Sequence, residues 1–143
     1  MKNTVLDTNC LLTCIAVKSE YHTVWTSFLN ENYRLCVSNE IINEYEEILA
    51  QKISPRFADM IIQVILNSEN VKFVHPTFRF NLITADPDDN KFVDCAIVAN
   101  AKYIVSQDAH FNILKTIIFP KVNVISIEEF AKELNKDNEK TRN

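Results

Sequence analysis

The segment Thr4-Val5-Leu6-Asp7-Thr8-Asn9 passes from a short apolar run directly into three residues that favour a helix start. Residues 2–6 are typical of a short buried strand, and residues from about 8 to 17 carry a helical pattern. A buried strand followed at once by a helix is typical of a parallel β-α unit. The segment therefore predicts an α/β protein in which Asp7 lies at the carboxyl end of the first strand.

The same alternation of strand and helix continues along the chain. Further strands are predicted at residues 33–37, 71–74, 103–105 and 122–125. Further helices are predicted at residues 20–30, 38–51, 54–66, 90–100 and 127–134. Strands that alternate with helices form parallel sheets through right-handed crossovers. We therefore expect a three-layer α/β/α sandwich, Rossmann-like in outline, around a central, mostly parallel five-stranded sheet. Residues 1–134 are predicted to form a single domain and residues 135–143 a polar C-terminal tail.

Composition excludes several classes of protein. The chain of 143 residues has a net charge of −4, whereas a general nucleic-acid coat protein has a broad basic surface. A nuclease is not excluded, because clustered metal-binding acids lower the net charge while local basic groups still hold a nucleic-acid backbone. The chain contains no glycine, and both P-loops and dinucleotide-binding loops need glycine at tight turns. A Walker-type ATPase and a standard Rossmann dehydrogenase are therefore excluded.

The expected compartment is the cytoplasm. No run of residues approaches the roughly 20 apolar residues needed to span a bilayer, so no membrane association is expected. The N-terminal stretch is interrupted by Asp7 and Asn9 and does not resemble a secretory signal. The chain has four cysteines, which we interpret as reduced structural residues: Cys10, Cys14, Cys36 and Cys95. The histidines His22, His75 and His110 are far apart in sequence and form no metal-ligand pattern.

Acidic residues recur at positions that an α/β sheet brings together. They are Asp7 after the first strand, Glu44 on an amphipathic helix, Asp89 at a helix start and Asp108 after the fourth strand. The carboxyl ends of parallel strands share one crevice, where ligands bind. Carboxylates gathered there repel one another unless a cation holds them ionised, and Mg²⁺ and Mn²⁺ prefer oxygen ligands. The pattern predicts a metal-dependent hydrolase that acts on phosphodiesters.

Each acidic residue also has a purely structural interpretation. Asp7 is a good helix cap, Asp108 is a common turn residue, and Asp89 is a natural cap for the helix that follows it. The acids of residues 86–89 fit capping and metal binding equally well. Periodicity places Glu44 and Glu46 on opposite edges of one apolar stripe and does not choose between them.

The neighbouring candidates leave similar alternatives. Asp94 is either an additional ligand or half of a surface ion pair with Lys91. Lys52, Arg56 and Lys91 are candidates for binding the nucleic-acid backbone, against the alternative of solvated surface charge. Four aromatic or apolar residues fit either a dimer surface or the core: Trp25, Phe28, Phe57 and Ile61.

Taken together, these segments resemble the PIN-domain nucleases, especially the small prokaryotic, VapC-type toxin-like members. The matching segments are residues 5–9, Ser38 with Ile41 and Glu44-Tyr45, residues 89–101, and Ile104-Val105-Ser106-Gln107-Asp108. The resemblance covers roughly residues 3 to 130. The family more usually has Thr-Gly-Asp or Thr-x-Asp where this chain has Ser106-Gln107-Asp108.

The resemblance implies a PIN-like fold and cleavage of single-stranded RNA with Mg²⁺ or Mn²⁺. It maps an acidic quartet onto Asp7, Glu44, Asp89 and Asp108, and so selects Glu44 over Glu46. Asn9 and Ser106 match polar positions beside the metal site. Asp88 and Asp94 are extra acids that can substitute for Asp89 as ligands.

The resemblance also implies partners. It implies the toxin component of a toxin-antitoxin system with a cognate antitoxin that blocks the acidic cleft, and a homodimer is a further expectation. The alternative from another class is a catalytically inactive PIN-like domain that binds RNA or protein. Haloacid-dehalogenase-type phosphatases are disfavoured because Asn9 replaces the second aspartate of their Asp-x-Asp motif. Phosphorelay receivers are disfavoured because the order Pro120-Lys121 is not their Lys-Pro.

Overall fold

The computed structural model describes residues 1–142, and the side chains as far as residue 140. Its strands are β1 (Asn3–Leu6), β2 (Arg34–Val37), β3 (Val71–Phe73), β4 (Tyr103–Val105) and β5 (Val124–Ile125). Its α-helices are α1 (Thr8–Ile15), α2 (His22–Leu29), α3 (Asn39–Lys52), α4 (Pro55–Leu66), α5 (Asn90–Ala99) and α6 (Ile127–Arg142). Within the described residues, none of these helices is both long and apolar enough to cross a bilayer.

The five strands form one parallel sheet in the order β3-β2-β1-β4-β5. The chain builds outward from β1 to β2 and β3, then returns through α5 to place β4 on the other side of β1. The order therefore reverses between β1 and β4, and such a switch point is where open α/β sheets bind ligands. The predicted α/β/α sandwich with a five-stranded sheet is confirmed.

The sheet is buried because its strands are short apolar runs. Val5, Leu35, Ile104 and Val105 are fully buried, as expected for strands covered on both faces. Helix α5 packs against β1, β2 and β4. Its left-handed C-cap Asn100, with φ of 52°, ends the helix and turns the chain back towards β4. The core thereby fixes the ends of β1 and β4 side by side.

Several element boundaries differ from the sequence prediction. Residues 109–116 form a 3-10 helix that the apolar pattern does not predict, and β5 begins at Val124 rather than at residue 122. Helix α6 continues past Leu134 to Arg142. A salt bridge stabilises part of this extension: Lys2 Nζ lies 3.0 Å from Asp137 Oδ2 on α6. The division into a domain of residues 1–134 and a tail of residues 135–143 stays a prediction.

Three of the four residues considered for a dimer surface lie inside this chain. Trp25, Phe28 and Ile61 are buried, and Phe57 is partly buried against the core. For Trp25, Phe28 and Ile61 the core interpretation is therefore confirmed. The four cysteines are free and buried, which confirms their structural interpretation.

Candidate metal centre

The ends of β1 and β4 bring two polar residues into contact. Leu6 pairs with Val105 in the sheet, and the Asp7 N–H donates to the Val105 carbonyl oxygen at 3.1 Å. One residue further on, the Ser106 hydroxyl donates to Asp7 Oδ2. Register alone therefore places Asp7 and Ser106 together at the switch point.

Asp7 combines a structural and a chemical position. Its Oδ1 accepts from the Cys10 N–H at 2.7 Å, so it caps α1, while Oδ2 faces the crevice. The side chain is almost fully buried. Burial raises the pKa of the Asp7 carboxyl, the charge of Asp108 raises it further, and the hydrogen bonds from Ser106 and Cys10 oppose the rise. Capping and ligand interpretations are thus compatible for this residue.

Glu44 reaches the crevice because its neighbour is anchored. The hydroxyl of buried Tyr45 donates to the Leu6 carbonyl oxygen, which fixes α3 against the end of β1. Thr8 donates its hydroxyl to Glu44 Oε2. Glu46, by contrast, is exposed. The structure thus distinguishes the two glutamates that periodicity left equivalent.

Lys91 is the cation of this region. Its Nζ lies 2.8 Å from Glu44 Oε1 and 3.1 Å from Asp88 Oδ1, and its side chain is only 11% exposed. Of the two alternatives for Asp94, the surface ion pair with Lys91 is not present among the described residues. Asp94 is buried and accepts the Phe80 N–H at 3.2 Å, because the loop before α5 folds over it.

Asp89 and Asp108 meet at His110. The His110 Nδ1 lies 3.3 Å from Asp89 Oδ2 and 3.4 Å from Asp108 Oδ1. Asp89 is the N-cap residue of α5, but its side chain makes no capping bond to the helix, so its carboxylate is available for this contact. Burial raises the pKa of Asp89 to about 6, helped by the charges of Asp86 and Asp108 and opposed by His110.

The sequence left Asp86 among the acids of residues 86–89 without selecting it as a ligand, and it did not assign His110 to the site. Asp86, Asp89 and His110 each place one ligand atom within 4.8 Å of the others. The sequence could have indicated His110 through its position, because it lies two residues after Asp108 in the loop that follows β4. That loop carries Asp108 to the crevice. We define the acidic crevice as Asp7, Glu44, Asp86, Asp89, Asp108 and His110.

A buried amide holds the loop that carries these acids. The Asn90 side chain accepts from the Ile83 N–H and donates to the Ile83 carbonyl oxygen, both at 2.8 Å. Asn90 follows Asp89 directly, so this pair of bonds fixes residues 83–90 over the crevice. No sequence pattern signalled this contact.

The remaining predicted residues lie around the crevice or away from it. Asn9 is exposed on the first turn of α1. The side chain of Asp88 is 73% exposed, and its carboxylate forms an ion pair with Lys91. Lys52 and Arg56 are exposed at the end of α3 and the start of α4. Among residues 1–142, neither forms an ion pair with an acid of the crevice. Their roles stay predictions.

The donor set fits a hard divalent cation. Carboxylates from the end of β1, from α3, and from the loops before α5 and after β4 surround the crevice, and oxygen is the ligand that Mg²⁺ and Mn²⁺ prefer. In the part of the chain that the structure describes, no Lys or Arg pairs with Asp7, Asp89 or Asp108. Burial is the main cause of the raised pKa values of Asp7 and Asp89, and the nearby charge of Asp108 raises both further.

Known structures show the same fold. VapBC2 from Rickettsia felis, solved with a DNA fragment from their promoter, aligns with a TM-score of 0.61 at 15% identity, over 87% of this chain and 98% of that chain. VapC20 from Mycobacterium tuberculosis, a Sarcin-Ricin loop cleaving toxin, aligns at 0.56 and 15% identity, over 76% and 92%. VapBC-1 from nontypeable Haemophilus influenzae aligns at 0.60 and 15% identity, over 88% and 98%. No curated protein sequence matches the chain.

A parallel α/β sheet with clustered carboxylates at its switch point defines the class of acidic-site α/β nucleases. The family model described as the PIN domain matches residues 3–110, which is most of the chain. The protein therefore belongs to the PIN domain family.

Proposed function

We propose that this protein is an endoribonuclease that hydrolyses phosphodiester bonds of single-stranded RNA with Mg²⁺ or Mn²⁺. The metal ligands are Asp7, Glu44, Asp89 and Asp108. The observation that carries the proposal is the crowding of Asp7, Asp89 and Asp108 at the switch point, without a Lys or Arg partner among the described residues. Such an arrangement is costly to fold without a cation, which favours a site built for function.

The residues of the crevice have different proposed roles. A bound divalent ion supplies a water of lowered pKa and stabilises the charge that develops on the phosphate. Ser106 and the Cys10 N–H fix the Asp7 carboxylate, and Thr8 fixes Glu44. Asp88 and Asp94 are reserve ligands, and Asn9 orients a water or Asp7. Lys91 offers a positive charge beside Glu44 for a phosphate oxygen, with Lys52 and Arg56 further along the backbone path.

RNA is the proposed substrate, and the proposal is supported by structures of this fold that are named for cleavage. VapC20 is described as cleaving the Sarcin-Ricin loop, and a further structure of this fold is the PIN domain endonuclease Utp24. The crevice is open on the side of Asp88 and His110, whose side chains are 73% and 42% exposed. An open acidic crevice with few basic groups suits a single flexible RNA strand whose phosphates bind to the metal ion.

The same comparison supports a proposal for the biological setting. VapC20 is named as a toxin, and the VapBC2 and FitAB structures were each solved bound to DNA. We propose that this chain is the toxin of a toxin-antitoxin pair in the cytoplasm, and that its antitoxin covers the acidic crevice. We also propose that the protein forms a homodimer. The domain is proposed to comprise residues 1–134, with residues 135–143 as a C-terminal tail.

Cleavage of a mixed pool of single-stranded RNA with Mn²⁺ tests the proposal. Asp108→Asn and Glu44→Gln remove one charge each, and we expect each to slow cleavage by roughly 100-fold or more. Glu46→Gln is the matched control, since Glu46 lies on the same helix and is exposed; it should cleave like the wild type. Equal activity in the wild type and Asp108→Asn would contradict the assignment. Tight RNA binding without cleavage would identify an inactive binding domain instead.

A further inference from the structure

We propose that His110 is a nitrogen ligand of the divalent ion in the acidic crevice, and that it makes the site prefer Mn²⁺ over Mg²⁺. The inference rests on the proposed metal-dependent nuclease and adds a ligand that the acidic quartet lacks. It concerns which ion the site selects.

The first support is the position of the imidazole. The His110 Nδ1 is 3.3 Å from Asp89 Oδ2 and 3.4 Å from Asp108 Oδ1, so one nitrogen lies between carboxylates from two different loops. Adjacent ligands of an octahedral ion with bonds of about 2.1 Å are separated by about 3.0 Å. The observed separations are slightly wider, and Asp86 contributes a ligand atom that lies within 4.8 Å of the ligand atoms of Asp89 and His110. A small contraction around an ion brings these atoms into its coordination shell.

The second support is that the backbone holds His110 in place. The His110 N–H donates to Asp108 Oδ1 at 2.9 Å, and the Asp108 N–H donates to Ser106 Oγ at 3.0 Å. Ser106 in turn donates to Asp7. This series of bonds links the histidine to the end of β1. The ring itself is 42% exposed, so packing in the core does not explain its orientation.

The chemistry of the donor then sets the preference. Magnesium binds oxygen almost exclusively and keeps several waters, whereas imidazole nitrogen is a good ligand for first-row transition ions. Manganese accepts oxygen and nitrogen together. A site that adds one imidazole to the carboxylate quartet therefore gains more affinity for Mn²⁺ than for Mg²⁺.

Calorimetric titration of the metal-free protein with Mn²⁺ alone and Mg²⁺ alone measures the preference. His110→Ala is expected to weaken Mn²⁺ binding by about tenfold or more and Mg²⁺ binding much less. The ratio of the Mg²⁺ dissociation constant to the Mn²⁺ dissociation constant should therefore fall. His75→Ala is the matched control, because His75 is exposed and contacts Phe73 rather than an acid. It should leave both affinities unchanged. An unchanged ratio in His110→Ala would overturn the proposal.

Pulsed electron paramagnetic resonance of bound Mn²⁺ gives a readout that a structural role would not move. The wild type and His75→Ala should both show nitrogen modulation from a directly bonded imidazole, and His110→Ala should lack it. Wild-type Mn²⁺ bound in the crevice without that modulation would refute the inference.

A second variant, His110→Asp, converts the donor set to oxygen alone. It should lose the nitrogen signal and bind Mg²⁺ more tightly than His110→Ala does; equal Mg²⁺ binding in the two variants would argue against a ligand at this position. The two proposals fail in different ways. Metal-dependent RNA cleavage without nitrogen coordination refutes only the role of His110, whereas nitrogen-coordinated Mn²⁺ without any RNA cleavage refutes only the proposed nuclease.

Discussion

At the residue scale, Asp89 illustrates how a proposed metal ligand is held in place at the expense of stability. Its pKa is raised from an ordinary value of 3.8 to about 6, mainly by burial. A carboxyl with a raised pKa holds its proton more tightly in the folded state than in the unfolded chain. Its contribution to stability is therefore present below about pH 4 and is lost as the pH rises through about 6. Without metal, the ionised Asp89 destabilises the fold at neutral pH.

We therefore predict that Asp89→Asn stabilises the metal-free protein. At pH 7.5 in a chelator, the free energy of unfolding should rise by about 1 kcal/mol, a value discounted for the partial exposure of the side chain. At pH 4 the gain should be small, because the wild-type carboxyl is then protonated in the folded state and partly protonated in the unfolded chain. Urea unfolding at the two pH values measures the difference. A variant that is less stable than the wild type at pH 7.5 would contradict the account of Asp89.

Lys91 offers a second prediction at this scale. Lys91→Met leaves Glu44 partly buried without its cation, and we expect a loss of about 2 kcal/mol in the metal-free protein. Lys132→Met is the control, since its pair with Glu128 is exposed on both sides and should change stability by less than about 1 kcal/mol. Parallel urea unfolding compares the two. Equal effects would show that Lys91 is an ordinary surface charge.

At the scale of elements, the crevice depends on loops as much as on strands. The apolar runs of β1 and β4 predicted the positions of Asp7 and Ser106, because strand ends in a parallel sheet are fixed by register. The tilt of α3 was not predictable, since it depends on Tyr45 bonding to Leu6, a contact between residues 39 positions apart. His110 was missed, and Asp86 was not singled out among the acids of residues 86–89, for the same reason. Their meeting depends on how two loops fold, and periodicity carries no information about that.

Asn90 provides the test of the loop's role. Asn90→Ala removes both bonds to Ile83 and leaves a buried N–H and a buried carbonyl without partners, at an expected loss of about 2 kcal/mol. Affinity for Mn²⁺ should fall as well, because the loop that carries Asp86 and Asp89 loses its anchor. Asn112→Ala, at an exposed asparagine of the 3-10 helix at residues 109–116, is the control for both measurements. Destabilisation with unchanged Mn²⁺ affinity would separate the loop from the site.

At the scale of the whole molecule, the sequence predicted the architecture well. Five apolar runs separated by helical patterns specify a parallel sheet, and both the sheet and the family were confirmed. The end of α6 was not predicted because polar contacts such as Lys2 with Asp137 extend it, rather than an apolar stripe. The apolar pattern of the sequence thus determines the core of the protein. The acidic crevice at the edge of that core is not stabilised by the same apolar packing.

A molecule of this kind should be stabilised by its ion. A ligand that binds only the folded state raises the melting temperature, so we expect Mn²⁺ to raise that of the wild type by several degrees. Asp7→Asn retains an oxygen for capping α1 but removes a charged ligand, so its melting temperature should respond little to Mn²⁺. Differential scanning fluorimetry with and without Mn²⁺ makes the comparison. Equal shifts in both proteins would place the binding elsewhere.

The most direct test is the anomalous scattering of Mn²⁺ in crystals grown with saturating ion. We predict a peak in the acidic crevice, coordinated by carboxylate oxygens of Asp7, Glu44, Asp89 and Asp108. Well-ordered crystals with no peak there, or with Mn²⁺ bound only at other surface acids, would contradict the central claim that these distant carboxylates form one metal site.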